Sequence, residues 1–599
     1  MTHPFDPFFL ETSLGARFCV HYPVQGQARG VVLYVHPFAE EMHKSRRMVA
    51  EMARRLASQG YAVMSIDLGG CGDSAGDFAE ATWEGWRADI ASAANWLKMR
   101  YDLPLTLWGL RLGALLAADY AMVDGNCQRL LLWAPVSNGE QHLTQFLRLK
   151  VANQMLSGAG EGAANTTQLR QQLVSGETIE IAGYALAPGL ALPQAQAKLA
   201  NVMRGGLIVD WFELQGSVDR PLPPIVEKLA SEWRNKQSGV RVHQLVGEGF
   251  WATQEITDVP ALWDVTLQVM QRDVSDDESN LTVSASTGTT LQVNAEVNAA
   301  ERETEQASQS VVSRQEATIS FHCQGETLPA VLSLPAQSGD VGVLVVVGGP
   351  QYRAGSHRQF TLLCRALANG GIPAMRFDYR GMGDASGPLH VFEQVKDDLR
   401  AAIDVFCQQQ PQLRRIVIWG LCDAASAALF YAWRDPRVTG LVLLNPWVRT
   451  DAGLAQAFVK HYYRQRLFSR DFWMKLLRGG VNVRGAIGEY VGKLRQARNT
   501  KQIAVNQQSA RVEIDPALPL PERMAEGLAR FRGRVLFILS GDDLTAAEFR
   551  AVVNTSPRWQ ELMQQANVQQ RELKEANHTF SRREWREIVE QWTLDWVGE

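Results

Sequence analysis

The sequence predicts an α/β protein of two tandem domains, each a mostly parallel sheet flanked by helices and carrying an inserted cap. Three observations lead there. A glycine-rich loop occurs twice, as Asp67-Leu68-Gly69-Gly70-Cys71-Gly72-Asp73-Ser74-Ala75-Gly76 and as Asp378-Tyr379-Arg380-Gly381-Met382-Gly383-Asp384-Ala385-Ser386-Gly387. A second motif follows each at one spacing: Gly109 of Trp108-Gly109-Leu110-Arg111 lies 109 − 67 = 42 positions after Asp67, and Gly420 of Trp419-Gly420-Leu421-Cys422 lies 420 − 378 = 42 after Asp378. Around both, short β-branched runs alternate with helical patterns, the rhythm of a parallel sheet covered on both faces. At 599 residues the chain is also longer than one core usually organises.

In the first copy the apolar runs at 30–36, 62–67, 105–108 and 129–134 read as strands, and the patterns at 46–59, 83–100 and 112–122 as helices. The second copy has its strands at 341–347, 372–378, 416–419, 438–444 and 535–540. Each copy then carries a long segment ahead of its later acid, about 136–200 and about 446–530, which reads as an inserted cap. The second includes residues 460–478, which mix basic and large apolar side chains at helical spacing. They read as an amphipathic helix packed on its own domain or, alternatively, as a surface for an acyl chain, an anionic head group or a membrane. Residues 271–315 hold no aromatic side chain and few large apolar ones, too little to offset ordering entropy. They read as a flexible linker of roughly 35 to 40 Å, joining domains at 1–270 and 316–599 without fixing their orientation, with short edge strands near 281 and 291 as the alternative.

With 60 Lys+Arg against 64 Asp+Glu, the formal net charge of −4 gives no electrostatic reason to expect nucleic acid. The start shows no leader pattern, and no apolar run approaches the roughly 20 residues of a membrane span, so a soluble cytoplasmic protein is expected. Seven cysteines, at 19, 71, 127, 323, 364, 407 and 422, are scattered without CxxC or zinc-type spacing, so neither a disulfide framework nor a metal is expected. The Gly70-Cys71-Gly72 loop departs from the dinucleotide fingerprint in its glycine spacing, and no ribose-binding acid follows at the right distance. No cofactor is expected.

Gly420-Leu421-Cys422-Asp423-Ala424 follows a strand and opens a helix, the setting of a G-x-nucleophile-x-G elbow above the carboxyl edge of an α/β-hydrolase sheet. Alone, Cys422 would read as an ordinary buried thiol. Downstream, however, one strand ends in Gly541-Asp542-Asp543 and a later one in Asn577-His578; nucleophile, acid, base is the hydrolase order. His578 would take the Cys422 proton, and Asp543, with Asp542 as the alternative, would orient the imidazole and stabilise its cation. An oxyanion hole would draw one N–H from Asp423 and another from the turn Gly348-Gly349-Pro350-Gln351, where Pro350 has none and Gly349 or Gln351 is left. These residues point to hydrolysis of a small acyl ester or thioester, with transfer of the acyl group to another acceptor, or a non-catalytic scaffold, as alternatives.

The first copy has Arg111 at the elbow, and a guanidinium that stays protonated neither attacks a carbonyl nor accepts activation by a base. Where His578 has its counterpart, the first copy reads Gly249-Phe250-Trp251, so the base is missing as well. Asp219 is expected at the acid position, paired with Arg111, and His36 in the oxyanion turn as a structural residue. Such a domain would bind a carboxylate or phosphate through Arg111, or serve as a docking module.

At these residues the chain resembles two families found beside exosortase systems. Residues 1 to about 270, with Trp108-Gly109-Leu110-Arg111-Leu112-Gly113 and Gly249-Phe250-Trp251-Ala252-Thr253-Gln254-Glu255-Ile256, resemble the exosortase A system-associated hydrolase of the second type. Residues from about 316 to 599, with Gly348-Gly349-Pro350-Gln351-Tyr352-Arg353, Trp419-Gly420-Leu421-Cys422-Asp423 and Gly541-Asp542-Asp543-Leu544-Thr545-Ala546, resemble that of the first type. The resemblance implies a cytoplasmic α/β hydrolase of bacteria that make exopolysaccharide and sort proteins by a C-terminal signal, with exopolysaccharide or exosortase-system proteins as partners. It implies no particular substrate. The cysteine elbow is also similar to that of dienelactone hydrolases, a different branch of the fold.

Overall fold

The computed structural model describes residues 5–156, 164–202, 204–217, 219–236, 239–280, 316–448 and 513–599. Most of the expected second cap, including 460–478, and residues 281–315 of the expected linker lie outside them.

The first domain is built on β1 (Asp6–Leu10), β2 (Arg17–Tyr22), β3 (Gly30–Val35), β4 (Tyr61–Ile66), β5 (Leu105–Leu110), β6 (Cys127–Trp133), β9 (Ile208–Gln215) and β10 (Gly239–Val246), in the order β1-β2-β4-β3-β5-β6-β9-β10. β1, β2 and β4 pair antiparallel; the remaining pairings are parallel. A short hairpin, β7 (Ile179–Ile181) and β8 (Tyr184–Leu186), stands apart. The second domain repeats this order with β11 (Glu316–Cys323), β12 (Glu326–Ser333), β13 (Val341–Val346), β14 (Ala374–Phe377), β15 (Arg415–Leu421), β16 (Val438–Leu444), β17 (Arg534–Ser540) and β18 (Val568–Leu573). The central strands carry apolar runs because both faces are covered: β3, Gly-Val-Val-Leu-Tyr-Val, is buried throughout. Trp86, Ile90 and Leu97 of helix Trp83–Tyr101 cover one face, and Met48, Met52 and Leu56 of helix Glu41–Ser58 the other. Each such side chain contributes about 1.5–3 kcal/mol when fully buried. Helix Trp83–Tyr101 starts where the Thr82 hydroxyl accepts the Gly85 N–H at 3.0 Å and ends at Asp102 in the left-handed region (φ 48°).

The expected first cap forms helices Gly139–Leu156, Thr166–Val174 and Pro188–Gln196 with the β7–β8 hairpin between them. Helix Pro260–Asn280 runs on through residues 271–280, where the polar composition suggested a linker. Among the described residues no helix is long and apolar enough to cross a membrane.

The two domains meet in a reciprocal contact. Their motifs are related by a shift of 311 (378 − 67, 384 − 73, 422 − 111), and the arginines that make the contact are related by the same shift. Arg47 donates to the Gly381 and Gly387 carbonyls at 2.8 and 3.2 Å; its counterpart Arg358 donates to those of Gly72 and Gly76 at 2.9 and 2.7 Å. Arg54 donates to the Asp384 carbonyl at 3.1 Å, and its counterpart Arg365 to that of Asp73 at 3.0 Å. Each glycine-rich loop is therefore held by the other domain, as across a two-fold interface.

At the centre, Arg46 binds Asp384 through two bonds of 2.8 Å and also reaches Asp67, while Arg353 binds Asp73 at 2.9 Å and Asp384 at 2.8 Å; Arg376 adds a bond of 2.9 Å to Asp73. None of these side chains is more than 4% exposed, so their charges are tolerable only as a paired set. Burial alone would raise the Asp73 carboxyl, but Arg353 and Arg376 outweigh it and hold it well below the carboxylate range. Burial pushes Asp378 up to about 6. This network sets how the domains sit, and it replaces the expectation, drawn from linker composition, of an unfixed orientation.

Candidate active site

Cys422 sits between β15 and helix Asp423–Tyr431 with φ 63° and ψ −124°, a backbone conformation that a side chain other than glycine's adopts only when its surroundings hold it. The surroundings do: its N–H bonds the Leu444 carbonyl at 2.9 Å, and its own carbonyl accepts N–H groups of Ala425 and Trp447, both at 3.1 Å. Arg111 in the first domain has φ 55° and ψ −120°, with the same three bonds to Trp133, Ala114 and Val136. The elbow geometry has survived in both copies, whatever side chain it presents.

His578 lies on the loop after β18, and its Nδ1–H donates to Asp543 Oδ2 at 3.0 Å. Asp543 caps helix Leu544–Thr555, accepting the Ala546 N–H at 2.9 Å. Burial would raise its carboxyl, but the His578 bond and the helix amides outweigh this and keep it below its usual range. Asp542 is exposed, and its N–H is used by the Ala576 carbonyl, so of the two acids Asp543 is the one on the imidazole.

Two buried residues that sequence reasoning missed brace this loop. Asn445, just after β16 and in the left-handed region (φ 43°), donates from Nδ2 to the His578 carbonyl at 2.9 Å and to Ser540 Oγ at 2.8 Å, while its Oδ1 accepts the Ser540 N–H at 2.8 Å. Ser540 Oγ donates onward to the Asn577 carbonyl at 2.8 Å. The first domain has Ala134 at the position of Asn445, with a matching φ of 40°, and has no such lattice. A polar residue after a strand in one copy and an apolar one in the other was the available signal.

The turn after β13 lies against the elbow as expected, with one difference. The Gly349 N–H donates to the side chain of Asp423, to Oδ1 at 2.7 Å, and the amides of Ala424 and Asp423 also stabilise that carboxylate. A Cβ on Gly348 would lie 2.3 Å from the same oxygen, so the glycine makes room for it. Burial pushes the Asp423 carboxyl up to about 6 against these amides, with Glu255 of the first domain adding to the rise. Asp423 and Gly349 thus meet, but the donors expected to face a substrate oxyanion face an internal carboxylate. Gln351 instead accepts the Ser356 N–H on its side chain at 3.3 Å and braces the turn.

In the first domain the expected Arg111–Asp219 pair does not form. Asp219 is exposed on the loop after β9, whereas Arg111 binds Glu41 Oε1 at 3.2 Å and the Ala134 carbonyl at 3.3 Å. Nor does Phe250 face Arg111: it is fully buried against Trp133, and the neighbouring Trp251 lies under the guanidinium, 5.1 Å from ring to charge. His36 is buried, shared between the Pro37 carbonyl (2.7 Å) and the Leu68 N–H (3.1 Å), and burial lowers its basicity, which suits a neutral structural ring.

Residues 26–205 match the family model described as "Serine aminopeptidase, S33", and residues 343–591 match "Alpha/beta hydrolase family". Two α/β-hydrolase folds stand in tandem. "Protein ABHD12B" of Homo sapiens is 30% identical over 133 residues, covering 21% of this chain and 35% of that protein. "Lysophosphatidylserine lipase ABHD12" of Gallus gallus is 32% identical over 120 residues, 19% of this chain and 30% of that protein. The chain spans about a third of the length of these curated relatives. Among solved structures, the Pyrococcus furiosus esterase Pf2001 aligns at 13% identity and TM-score 0.33, covering 47% of this chain and 90% of its own. Est1E from Butyrivibrio proteoclasticus, bound to ferulic acid, aligns at 12% and 0.35, covering 45% and 99%.

The second hydrolase domain presents its elbow thiol in a setting unlike the others. Cys19, Cys71, Cys127, Cys323 and Cys364 are buried, and burial pushes the last four up to about 12, 12, 11 and 11. Cys407 is partly exposed and also raised by burial. Cys422 is partly exposed, at the N-terminus of helix Asp423–Tyr431.

Proposed function

We propose that the second hydrolase domain is a cysteine-dependent acyl ester or thioester hydrolase and that the first is its non-catalytic companion. The observation that carries this reading is the Asp543–His578 bond of 3.0 Å in the same domain as a cysteine elbow, in hydrolase order along the chain. Cys422 Sγ attacks the acyl carbon as His578 takes its proton, and Asp543 holds the ring through Nδ1–H and stabilises the imidazolium. Collapse of the tetrahedral adduct expels the alcohol or thiol, which leaves with the proton from His578. Water, deprotonated by His578, then cleaves the acyl-thioester and returns the thiol. Passage of the acyl group to a sugar hydroxyl or carrier would use the same first half. The lipase name of one relative is consistent with an ester substrate. The exosortase and exopolysaccharide context rests on the family resemblance, as does a cytoplasmic setting.

A second reading, in which both domains are a ligand-binding scaffold, is favoured by one observation: the Asp423 carboxylate occupies the Gly349 N–H. Labelling purified protein with an electrophilic acyl probe and mapping the peptides separates the two. Selective labelling of Cys422 that His578→Ala abolishes supports the hydrolase; labelling no faster than that of the six other cysteines supports the scaffold. For the first domain, the pairing of Arg111 with Glu41 favours docking over capture of an anion.

A further inference from the structure

We propose that the first domain acts on the second as a positioning element for His578, through Glu40, Asp77, Glu180 and Gly183. This deepens the reading just given and rests on it.

The loop carrying His578 is held by both domains. Up to His578 the bonds come from its own domain, through Asn445 and Ser540. Beyond it, Phe580 turns in the left-handed region (φ 51°) and buries its ring at home, Ser581 bonds back to Asn577 within the domain, and Arg583 bonds across the interface. The Arg583 N–H donates to Glu180 Oε1 at 2.9 Å, and its guanidinium binds Asp77 at 2.9 Å. Thr579, adjacent to His578, shares a hydrogen bond of 3.3 Å with His357 Nε2.

His357 is itself fixed by the first domain. Its N–H donates to Glu40 Oε1 at 3.1 Å, and the same oxygen accepts the Tyr184 hydroxyl at 3.1 Å. It adopts φ 41° and its neighbour Arg358 φ 65°, two successive left-handed residues stabilised by the Arg358 bonds to the first domain's glycine-rich loop. Burial lowers its ring to about 4, so it stays neutral and serves as a wedge, not a charge. The β7–β8 turn closes on this ring at Gly183 (φ 87°), where a Cβ would lie 2.5 Å from His357 Cγ. Any larger residue there must push the ring, and with it Thr579, away. The cap hairpin of a domain without nucleophile or base thus bears on the residue next to the other domain's base. Misplacing a catalytic group by about 1 Å costs on the order of a hundredfold in rate.

The test uses the full chain with Gly183→Val, Glu40→Ala and the double variant Asp77→Ala/Glu180→Ala, and Glu40→Gln and Glu180→Gln as conservative controls that keep the accepting oxygen. Hydrogen–deuterium exchange is followed on the peptide spanning 574–583, and acyl-probe labelling of Cys422 is followed against pH. The expected result is faster exchange in 574–583, a tenfold or greater fall in the labelling rate at unchanged half-saturating probe, and a displaced pH midpoint, with both Gln variants near wild type. Unchanged exchange in 574–583 would overturn the proposal, as would faster exchange with an unaltered rate and pH profile. If His578→Ala leaves wild-type labelling of Cys422 intact, the hydrolase reading itself fails and the catalytic meaning of the support falls with it; that result is distinguishable because exchange would still respond.

Discussion

On the proposed hydrolase reading, catalytic competence turns on Asp423. Its carboxylate uses an amide that the reaction would need, and a bond from an N–H to a charged acceptor contributes about 1.5–3 kcal/mol. Well above a pH of about 6 the group is ionised and holds Gly349 strongly; well below, protonation weakens the hold. Asp423→Ala is therefore expected to speed Cys422 acylation by about tenfold at pH 8, with the ratio to wild type shrinking towards one as the pH falls through 6; a slower variant at pH 8 would show that the carboxylate assists the site. Asn445 works in the opposite sense. Asn445→Ala removes the donor to the His578 carbonyl and the acceptor of the buried Ser540 N–H, costing about 1–3 kcal/mol of stability. The expected signature is a kcat loss of about ten- to a hundredfold on any cleaved ester with little change in KM.

The elbow is the element that both copies kept, and its repetition was legible in the sequence because Gly109 and Gly420 stand where a side chain would strike the following helix: a Cβ would come within 2.4 Å of Ala114 and 2.8 Å of Ala424. An elbow without a base is not a site. Arg111→Cys is accordingly expected to gain no rapid labelling at position 111, because Phe250 is buried and Trp251, not an imidazole, faces that side chain; rapid labelling there would mean a base has been overlooked. Several strands escaped the sequence reading: β1, β2, β11 and β12, antiparallel strands at one edge of their sheets, the β7–β8 hairpin, and the parallel strands β9 and β10 at the other edge of the first sheet. β11 in particular alternates less clearly than a half-buried strand, since part of its cover comes from the other domain: the Thr318 hydroxyl donates to the Pro7 carbonyl at 2.7 Å.

At the scale of the whole molecule, the duplication behaves as a dimer joined in one chain. Its interface depends on charges with almost no access to water, so removing one partner strands the others. Asp73→Asn is expected to cost about 3–5 kcal/mol, read as a lower urea midpoint and, in calorimetry, as two separate transitions where wild type shows one. The folded Asp73 carboxyl is depressed, so its contribution is fully present above the ordinary carboxylate pKa near about 4 and is lost as the pH falls through the depressed value. The difference in stability between wild type and Asp73→Asn should therefore narrow progressively as the pH falls below about 4. A constant difference down to pH 2 would place the contribution elsewhere.

By itself the sequence determined the two sheets, the two elbows and the order of Cys422, Asp543 and His578, because each follows from local rules: β-branched runs, glycine at close approaches, polar residues at strand ends. The partners were decided only in three dimensions. Arg111 takes Glu41 and not Asp219, Asp423 turns its carboxylate onto Gly349, and Glu40 and Gly183 both meet His357 of the other domain. Such choices depend on which side chains share a buried space and must satisfy one another there, and spacing along a chain does not record that.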